Sequence, residues 1–279
     1  MLLRDALTFA VEQLTAAHTP SPRMNAEVLL MFALDCDRSH LYAYPERRLT
    51  SEEQGRYEHA IAERARGVPA QYITGNQEFW GLGFLVSSAV LIPRPETEHL
   101  IETVLELTAG KGNWRMVDVG TGSGAIAIAL AHELPNASLD ATDISPAALA
   151  VAEMNAARLE VSSRIQFHQA DLLDGLFHAH LDFVVSNPPY VGESEEDAVQ
   201  LEVRKFEPRN AVFAGSVGTE IIARLIPQAH AALRPGGWLV MEISGTIAPA
   251  VRELLAEWTE VEITPDLQGI PRIVRARKH

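Results

Sequence analysis

The sequence predicts an α/β protein: a mostly parallel β-sheet covered by helices on both faces, preceded by a small all-helical domain and a linking β-hairpin. Three observations predict it. Residues 1–71 carry helical periodicity only, residues 72–93 carry short strand-like runs, and from residue 94 onward apolar strands alternate with helical stretches. Such alternation buries a parallel sheet on both faces and sends ligands to the carboxyl ends of its strands. The expected domains are therefore 1–71, 72–93 and 94–279.

Each element follows from a local pattern. Leu3, Leu7, Val11 and Leu14 recur at three- and four-residue spacing, the apolar stripe of a first helix. Ser21-Pro22 reads as the cap and first turn of a second helix through Val28, Leu29 and Phe32. Thr50 followed by Glu53 is a capping-box pattern, and Gly67 is a stop for that third helix. Residues 78–86 and 90–92 then read as two short strands joined around Ser87-Ser88-Ala89. Pro95 opens a helix through Leu100, Ile101, Val104 and Leu105. Beyond it, residues 116–119, 139–142, 165–167, 183–186 and 238–243 read as strands, with helices over 125–132, 147–158 and 219–233. Residues 261–264 and 273–276 add two more strands.

Composition removes several classes. A chain of 279 residues that is 47% hydrophobic and 22% charged builds a core and is not disordered. Its 23 basic against 37 acidic residues leave a charge of −14, and no Lys/Arg run interrupts that balance. Nonspecific nucleic-acid binding, which works by neutralising phosphates, is therefore not expected. Residues 1–71 hold 8 arginines, no lysine and 10 acids, so the helical domain is no basic arm. Cys36 is the only cysteine, which excludes an intrachain disulfide and suits a reducing compartment. No stretch reaches the roughly 18 apolar residues of a membrane span. Met1-Leu2-Leu3-Arg4-Asp5 lacks the features of a signal peptide. The protein is expected to be cytoplasmic and monomeric.

The chemistry begins after the first strand of the sheet. Gly120-Thr121-Gly122-Ser123-Gly124 joins that strand to a helix, where glycines let a ligand approach the backbone and a helix N-terminus offers free N–H groups. Gly120, Gly122 and Ala125 also satisfy the dinucleotide fingerprint. Asp143, at the end of the next strand, can accept both hydroxyls of a ribose. NAD and S-adenosylmethionine both contain that ribose, and an Asx turn into Ser145-Pro146 is the alternative use of Asp143. Asp171, after the third strand, suits either an adenine amino group or a helix N-cap ahead of Leu172-Leu173.

Asn187-Pro188-Pro189-Tyr190, after the fourth strand, decides between them. Two prolines fix the backbone, so the Pro188 carbonyl and the Asn187 side-chain oxygen become converging acceptors for an NH₂ group. Tyr190 supplies a ring for a planar substrate. Methylation of an sp² nitrogen needs such positioning, because the lone pair is delocalised.

These stretches resemble class I, S-adenosylmethionine-dependent amino-methyltransferases, and the wider match is to the HemK/PrmC family, which methylates N5 of a glutamine in peptide chain release factors. Tyr72-Ile73-Thr74-Gly75, Glu78-Phe79-Trp80-Gly81 and Leu91-Ile92-Pro93-Arg94-Pro95-Glu96-Thr97-Glu98 carry the resemblance. So do Asp143-Ile144-Ser145, Phe206-Glu207-Pro208-Arg209-Asn210-Ala211 and Asp266-Leu267-Gln268-Gly269. Val217 stands where the family commonly has an acid. The resemblance implies a Rossmann-like, seven-stranded sheet. It implies S-adenosylmethionine contacts from Gly120, Thr121, Gly122, Ser123, Gly124, Asp143 and Asn187, with Asp171 and Leu172 beside the adenine. Asn187, Pro188, Pro189 and Tyr190 would hold the glutamine amide, with Arg94 and Glu96 lining the active site.

Rival readings are weaker. A DNA amino-methyltransferase needs a basic groove, which a charge of −14 opposes. A dehydrogenase has no use for Asn187-Pro188-Pro189-Tyr190. Methylation of a ribosomal-protein glutamine shares the catalytic motifs and stays open. His178 and His180 read as ordinary loop histidines, since an i, i+2 pair alone makes no metal site, and no metal is expected. Ser186 lacks the His/Asp context of a nucleophile.

Overall fold

The computed structural model describes residues 1–109, 112–175 and 180–279. His178 lies outside the described residues. The chain divides into two compact units, residues 1–76 with 201–206 and residues 77–200 with 207–279.

In the first unit, α1 (Leu3–Ala16), α2 (Pro22–Leu34), α3 (Arg38–Ala43), α4 (Ser51–Ala65) and α5 (Ala70–Thr74) surround a core that includes Leu14, Leu29, Leu30, Tyr57 and Ile61. Along α1 the buried positions are Leu3, Ala6, Ala10 and Leu14, with Leu7 and Val11 half-buried at the stripe's edge. The capping box at α4 is formed: Thr50 Oγ1 accepts the Glu53 N–H at 3.2 Å, and Glu53 Oε2 accepts the Thr50 N–H at 2.9 Å. Gly67, with φ of 94°, follows the last turn of α4. Ser21 does not cap α2. It sits at φ 47° with no side-chain cap bond, and Asn25 Nδ2 donates to the Pro20 and Ser21 carbonyls at this helix start.

The hairpin consists of β1 (Asn76–Phe79) and β2 (Leu82–Leu85), and it turns at Trp80-Gly81 rather than at residues 87–89. Both turn residues have positive φ, 54° and 68°, as a two-residue hairpin turn requires. A tryptophan is held there by two acids: its N–H donates to Glu98 and its indole N–H to Glu133, each at 2.8 Å. Residues 90–92 are not a strand. The Val90 N–H closes a turn on Ser87, and the Ile92 N–H donates to the Glu207 carboxylate at 3.1 Å.

After a 3₁₀ turn at Pro95–Thr97, α6 (Glu98–Thr108) leads into the sheet. There follow β3 (Arg115–Val119), α7 (Ala125–Glu133), β4 (Ser138–Asp143), α8 (Pro146–Arg158), β5 (Ile165–Gln169) and β6 (Leu181–Ser186). β7 (Val191–Gly192), α9 (Leu201–Phe206), α10 (Arg209–Val212) and β8 (Phe213–Gly215) make up an insertion. Within it α9 belongs to the first unit, where Glu202 pairs with buried Arg64. Then come α11 (Glu220–Ala232), β9 (Leu233–Glu242), α12 (Ala248–Leu254), β10 (Thr259–Pro265) and β11 (Pro271–Arg277).

The seven-stranded sheet has the order β10-β11-β9-β6-β3-β4-β5, with β11 alone reversed. Successive strand residues point to opposite faces. Met116, Phe183, Val185 and Val240 meet Leu100 of α6 and Leu130 of α7; Val117, Val184, Leu239 and Met241 meet Leu225 of α11 and Val251 of α12. Among the described residues no helix is long and apolar enough to cross a membrane. Because β3 pairs with both β4 and β6, the chain reverses its winding at β3, and a crevice opens above the carboxyl ends of β3 and β6.

Two buried polar side chains brace this region. Asn155 of α8 accepts the Leu85 N–H at 2.7 Å and donates to the carbonyls of Leu85 (3.0 Å) and Ser123 (2.9 Å). Asp118 of β3 accepts from the Thr121 hydroxyl at 2.6 Å and the Ala127 N–H at 3.2 Å. Burial pushes its carboxyl up to about 7, against the pull of those two bonds.

Two predictions follow from these braces. Asn155→Ala removes the side-chain partner of three backbone groups, the Ser123 carbonyl buried and the Leu85 N–H and carbonyl part-buried, and should cost about 2–4 kcal/mol in urea unfolding. For Asp118 the folded carboxyl binds its proton more tightly than the unfolded one. Wild type should therefore lose stability relative to Asp118→Asn as pH rises from about 4 to about 7, and hold a constant difference above that. Denaturant midpoints of both proteins across that range measure it, and parallel curves would show that Asp118 does not titrate there.

Candidate active site

The loop after β3 is held from beneath. The Gly120 and Thr121 N–H groups both donate to the Thr142 carbonyl of β4 at 2.9 Å. A Cβ at Gly120 or Gly122 would meet nothing within 4 Å, so these residues present bare backbone to open space. Gly124 serves packing instead: a Cβ there would lie 3.0 Å from Ile128 Cδ1 and 3.2 Å from Ala152 Cβ.

Asp143 ends β4 and ties two loops together. Its Oδ2 accepts the Gly122 N–H and its Oδ1 accepts the Ser145 N–H, both at 2.9 Å. The second bond is the Asx turn that the local sequence allows, and Ser145 in turn caps α8 through the Ala148 N–H at 3.2 Å. A carboxylate oxygen accepts more than one bond, so this use of Asp143 leaves acceptor capacity on the cavity it lines.

That cavity holds about 280 Å³. Of the residues chosen from sequence, Gly120, Thr121, Gly122, Ser123, Asp143, Asp171, Leu172, Asn187 and Pro189 line it. Gly124, Pro188, Tyr190, Arg94 and Glu96 do not stand among its walls. Asp171 pairs with Arg224, another wall residue, at 2.6 Å. Arg94 pairs with buried Glu207, the same carboxylate that accepts from Ile92. Glu96 is half-buried on the 3₁₀ turn.

At the carboxyl end of β6, Ser186 donates its hydroxyl proton to the Val119 carbonyl at 2.7 Å, a structural bond that takes up its Oγ. Asn187 follows, and its Nδ2 donates to Thr97 Oγ1 at 3.1 Å. Thr97 donates onward to Glu242 Oε2 at 2.6 Å, and the Tyr190 hydroxyl donates to Glu242 Oε1 at 3.0 Å. Tyr190 is thereby fixed by its hydroxyl, and it packs against the core cluster that includes Val119, Met241 and Ile243. Burial, and next the Glu242 charge, push the Tyr190 hydroxyl well above its usual range. Burial raises the Glu242 carboxyl too, while Thr97, Tyr190 and Arg272 favour its ionised form.

Thr97 and Glu242 escaped the reading of the sequence. The only signal for Glu242 is an acid inside an apolar strand, Trp238-Leu239-Val240-Met241-Glu242-Ile243.

The residues present fit S-adenosylmethionine. Bare glycine backbone lies beside the carboxylate of Asp143, and both line one cavity together with Asn187.

Comparison with known proteins gives the family. Residues 5–75 match the PrmC N-terminal domain and residues 95–205 the methyltransferase small domain. The release factor glutamine methyltransferase of Koribacter versatilis is 56% identical over 279 residues, covering 100% of this chain and 99% of that one. The protein of the same name from Moorella thermoacetica is 43% identical, covering 98% and 97%. A solved methyltransferase from Pyrococcus furiosus superposes with a TM-score of 0.54 at 18% identity, covering 82% of this chain and 99% of that one, which shows the shared fold. The chain thus belongs to the release factor glutamine methyltransferase family, and it is an S-adenosylmethionine-dependent enzyme.

Proposed function

We propose that this protein transfers a methyl group from S-adenosylmethionine to the side-chain amide nitrogen of a glutamine in a peptide chain release factor. One observation carries the reading: Asn187 lines the cavity while its Nδ2 is taken up by Thr97, which leaves Oδ1 as an acceptor for a substrate amide. When bound, S-adenosylmethionine would supply a methyl group whose S–C bond breaks as the N–C bond forms, leaving the thioether S-adenosylhomocysteine, with the proton that the nitrogen sheds passing to water.

The chain's own residues bind and orient. Gly120, Thr121, Gly122, Ser123 and Asp143 would hold the cofactor, its ribose hydroxyls donating to Asp143, with Gly124 shaping the loop from behind. Asp171 and Leu172 would flank the adenine. Asn187 Oδ1 and the Pro188 carbonyl would accept the two amide hydrogens, so the nitrogen is aimed rather than activated. Pro189 walls the cavity and Tyr190 stiffens the turn. Glu242 does not stand among the cavity walls, so it holds Thr97 and Tyr190 rather than meeting the substrate amide. Arg94 acts on the site through Glu207 and residues 90–92, and Glu96 through its charge near Glu242.

We assign protein docking to the helical domain, where Phe9, Met24, Phe32, Tyr42 and Tyr44 are exposed. A release factor, and no membrane or nucleic acid, is the partner of a monomeric enzyme in the cytoplasm. Incubation with labelled S-adenosylmethionine and separated release factor, ribosomal protein and DNA tests this: label should enter release factor, and label in ribosomal protein or DNA alone would refute it.

Two variants test the parts. Asp143→Ala removes a charged acceptor worth roughly 1.5–3 kcal/mol, so cofactor affinity by calorimetry should fall about 10- to 150-fold. Asn187→Ala should slow single-turnover methyl transfer at saturating cofactor by at least about 100-fold, or about 2.7 kcal/mol of barrier. Near-wild-type turnover would show that the amide is held elsewhere.

A further inference from the structure

We propose that Glu242 is a positioning residue that sets the hydrogen-bond polarity of the amide pocket, so that the site takes glutamine and refuses glutamate. The inference rests on the methyl-transfer reading above and adds how the substrate class is chosen.

It follows from counting protons. Glu242 ends β9, beside the end of β6, and is 1% exposed. As a carboxylate it only accepts. Thr97 and Tyr190 each own one hydroxyl proton, and both protons point at Glu242, at 2.6 and 3.0 Å. Thr97 Oγ1 has then no proton left to give, so toward Asn187 it can only accept. Asn187 must therefore turn its NH₂ to Thr97, as the 3.1 Å bond from Nδ2 records. Its other end, Oδ1, is the acceptor left for the substrate.

An amide offers that oxygen an N–H. A glutamate carboxylate offers only oxygen, and acceptor against acceptor leaves both unpaired in a partly buried site. The amide of Asn187 is nearly symmetric in shape, so packing alone does not choose its orientation. The choice comes through Thr97 from Glu242. In Glu242→Gln the new NH₂ group can donate to Thr97, which frees the Thr97 proton for Asn187 Oδ1 and lets the Asn187 NH₂ face the substrate.

The test uses whole enzyme with two forms of release factor: one with its glutamine, and one with glutamate in that place as a competitive inhibitor. Wild type should methylate the first and be inhibited weakly by the second. Glu242→Gln should lose turnover on the glutamine form by about 10-fold or more while binding the glutamate form about 10-fold more tightly. Thr97→Val should also lose the preference, and Thr97→Ser, which keeps the hydroxyl, should restore it. Lower turnover in Glu242→Gln with an unchanged glutamine-to-glutamate preference would make Glu242 merely structural and overturn the inference. If Glu242→Gln does not fold, the Thr97→Val and Thr97→Ser pair decides by the same preference. A wild type that methylates no release factor would instead overturn the functional reading, and the inference with it.

Discussion

The pairing of β3 with β6 is the constraint on which the site depends. The two strands run parallel in a register that sets Val119 opposite Ser186, and the Ser186 hydroxyl closes on the Val119 carbonyl at 2.7 Å. Two loops therefore leave the sheet side by side at one height. One is glycine backbone, and the other is Asn187 with its prolines. Neither loop folds into a useful shape alone, since each takes its position from a strand end. A slip of one residue in either strand would move every side chain to the opposite face.

Around that pairing the site is built from carboxylates with assigned donors, Asp118 and Glu242 buried and Asp143 half-buried. Asp118 supports the glycine loop from below, Asp143 clamps it from the side, and Glu242 holds the two hydroxyls behind Asn187. Burying a charge is costly unless donors meet it. Here the cost serves rigidity. Methyl transfer to an amide gains more from a fixed nitrogen than from a strong base, so a stiff polar frame is the property the chemistry asks of the fold.

How much of this was legible depended on range. The central strands β3 and β6 showed themselves as apolar runs, because they are buried on both faces, whereas edge strand β10, with no buried residue, was legible only by its alternation of apolar and acidic residues. The glycine loop, Asp143 and Asn187 were legible for a related reason: each stands one or two residues past such a run. The hairpin turn was misplaced because Trp80 adopts a φ of 54°, which local propensity disfavours and which Glu98 and Glu133 hold from 18 and 53 residues away. Ser21 looked like a cap, and the polar contact at that helix start comes from Asn25. Thr97 and Glu242 are separated by 145 residues, and no local pattern announces that they meet.

The two halves of the site are made of different material, and this has a consequence. The half proposed for the cofactor is mostly backbone, fixed by strands β3 and β4 and by the Asp143 clamp. The half proposed for the substrate is a side-chain relay drawn from the 3₁₀ turn at Pro95–Thr97, the end of β6 and the end of β9. Backbone tolerates substitution of neighbouring side chains well, so a glycine-loop pocket can stay unchanged while the relay beside it is altered. One fold can thus keep its methyl donor and change the nitrogen it accepts, by exchanging a few hydroxyls and carboxylates behind the Asn-Pro-Pro-Tyr turn. In this chain those groups are Thr97 and Glu242, and their proton count suits an amide.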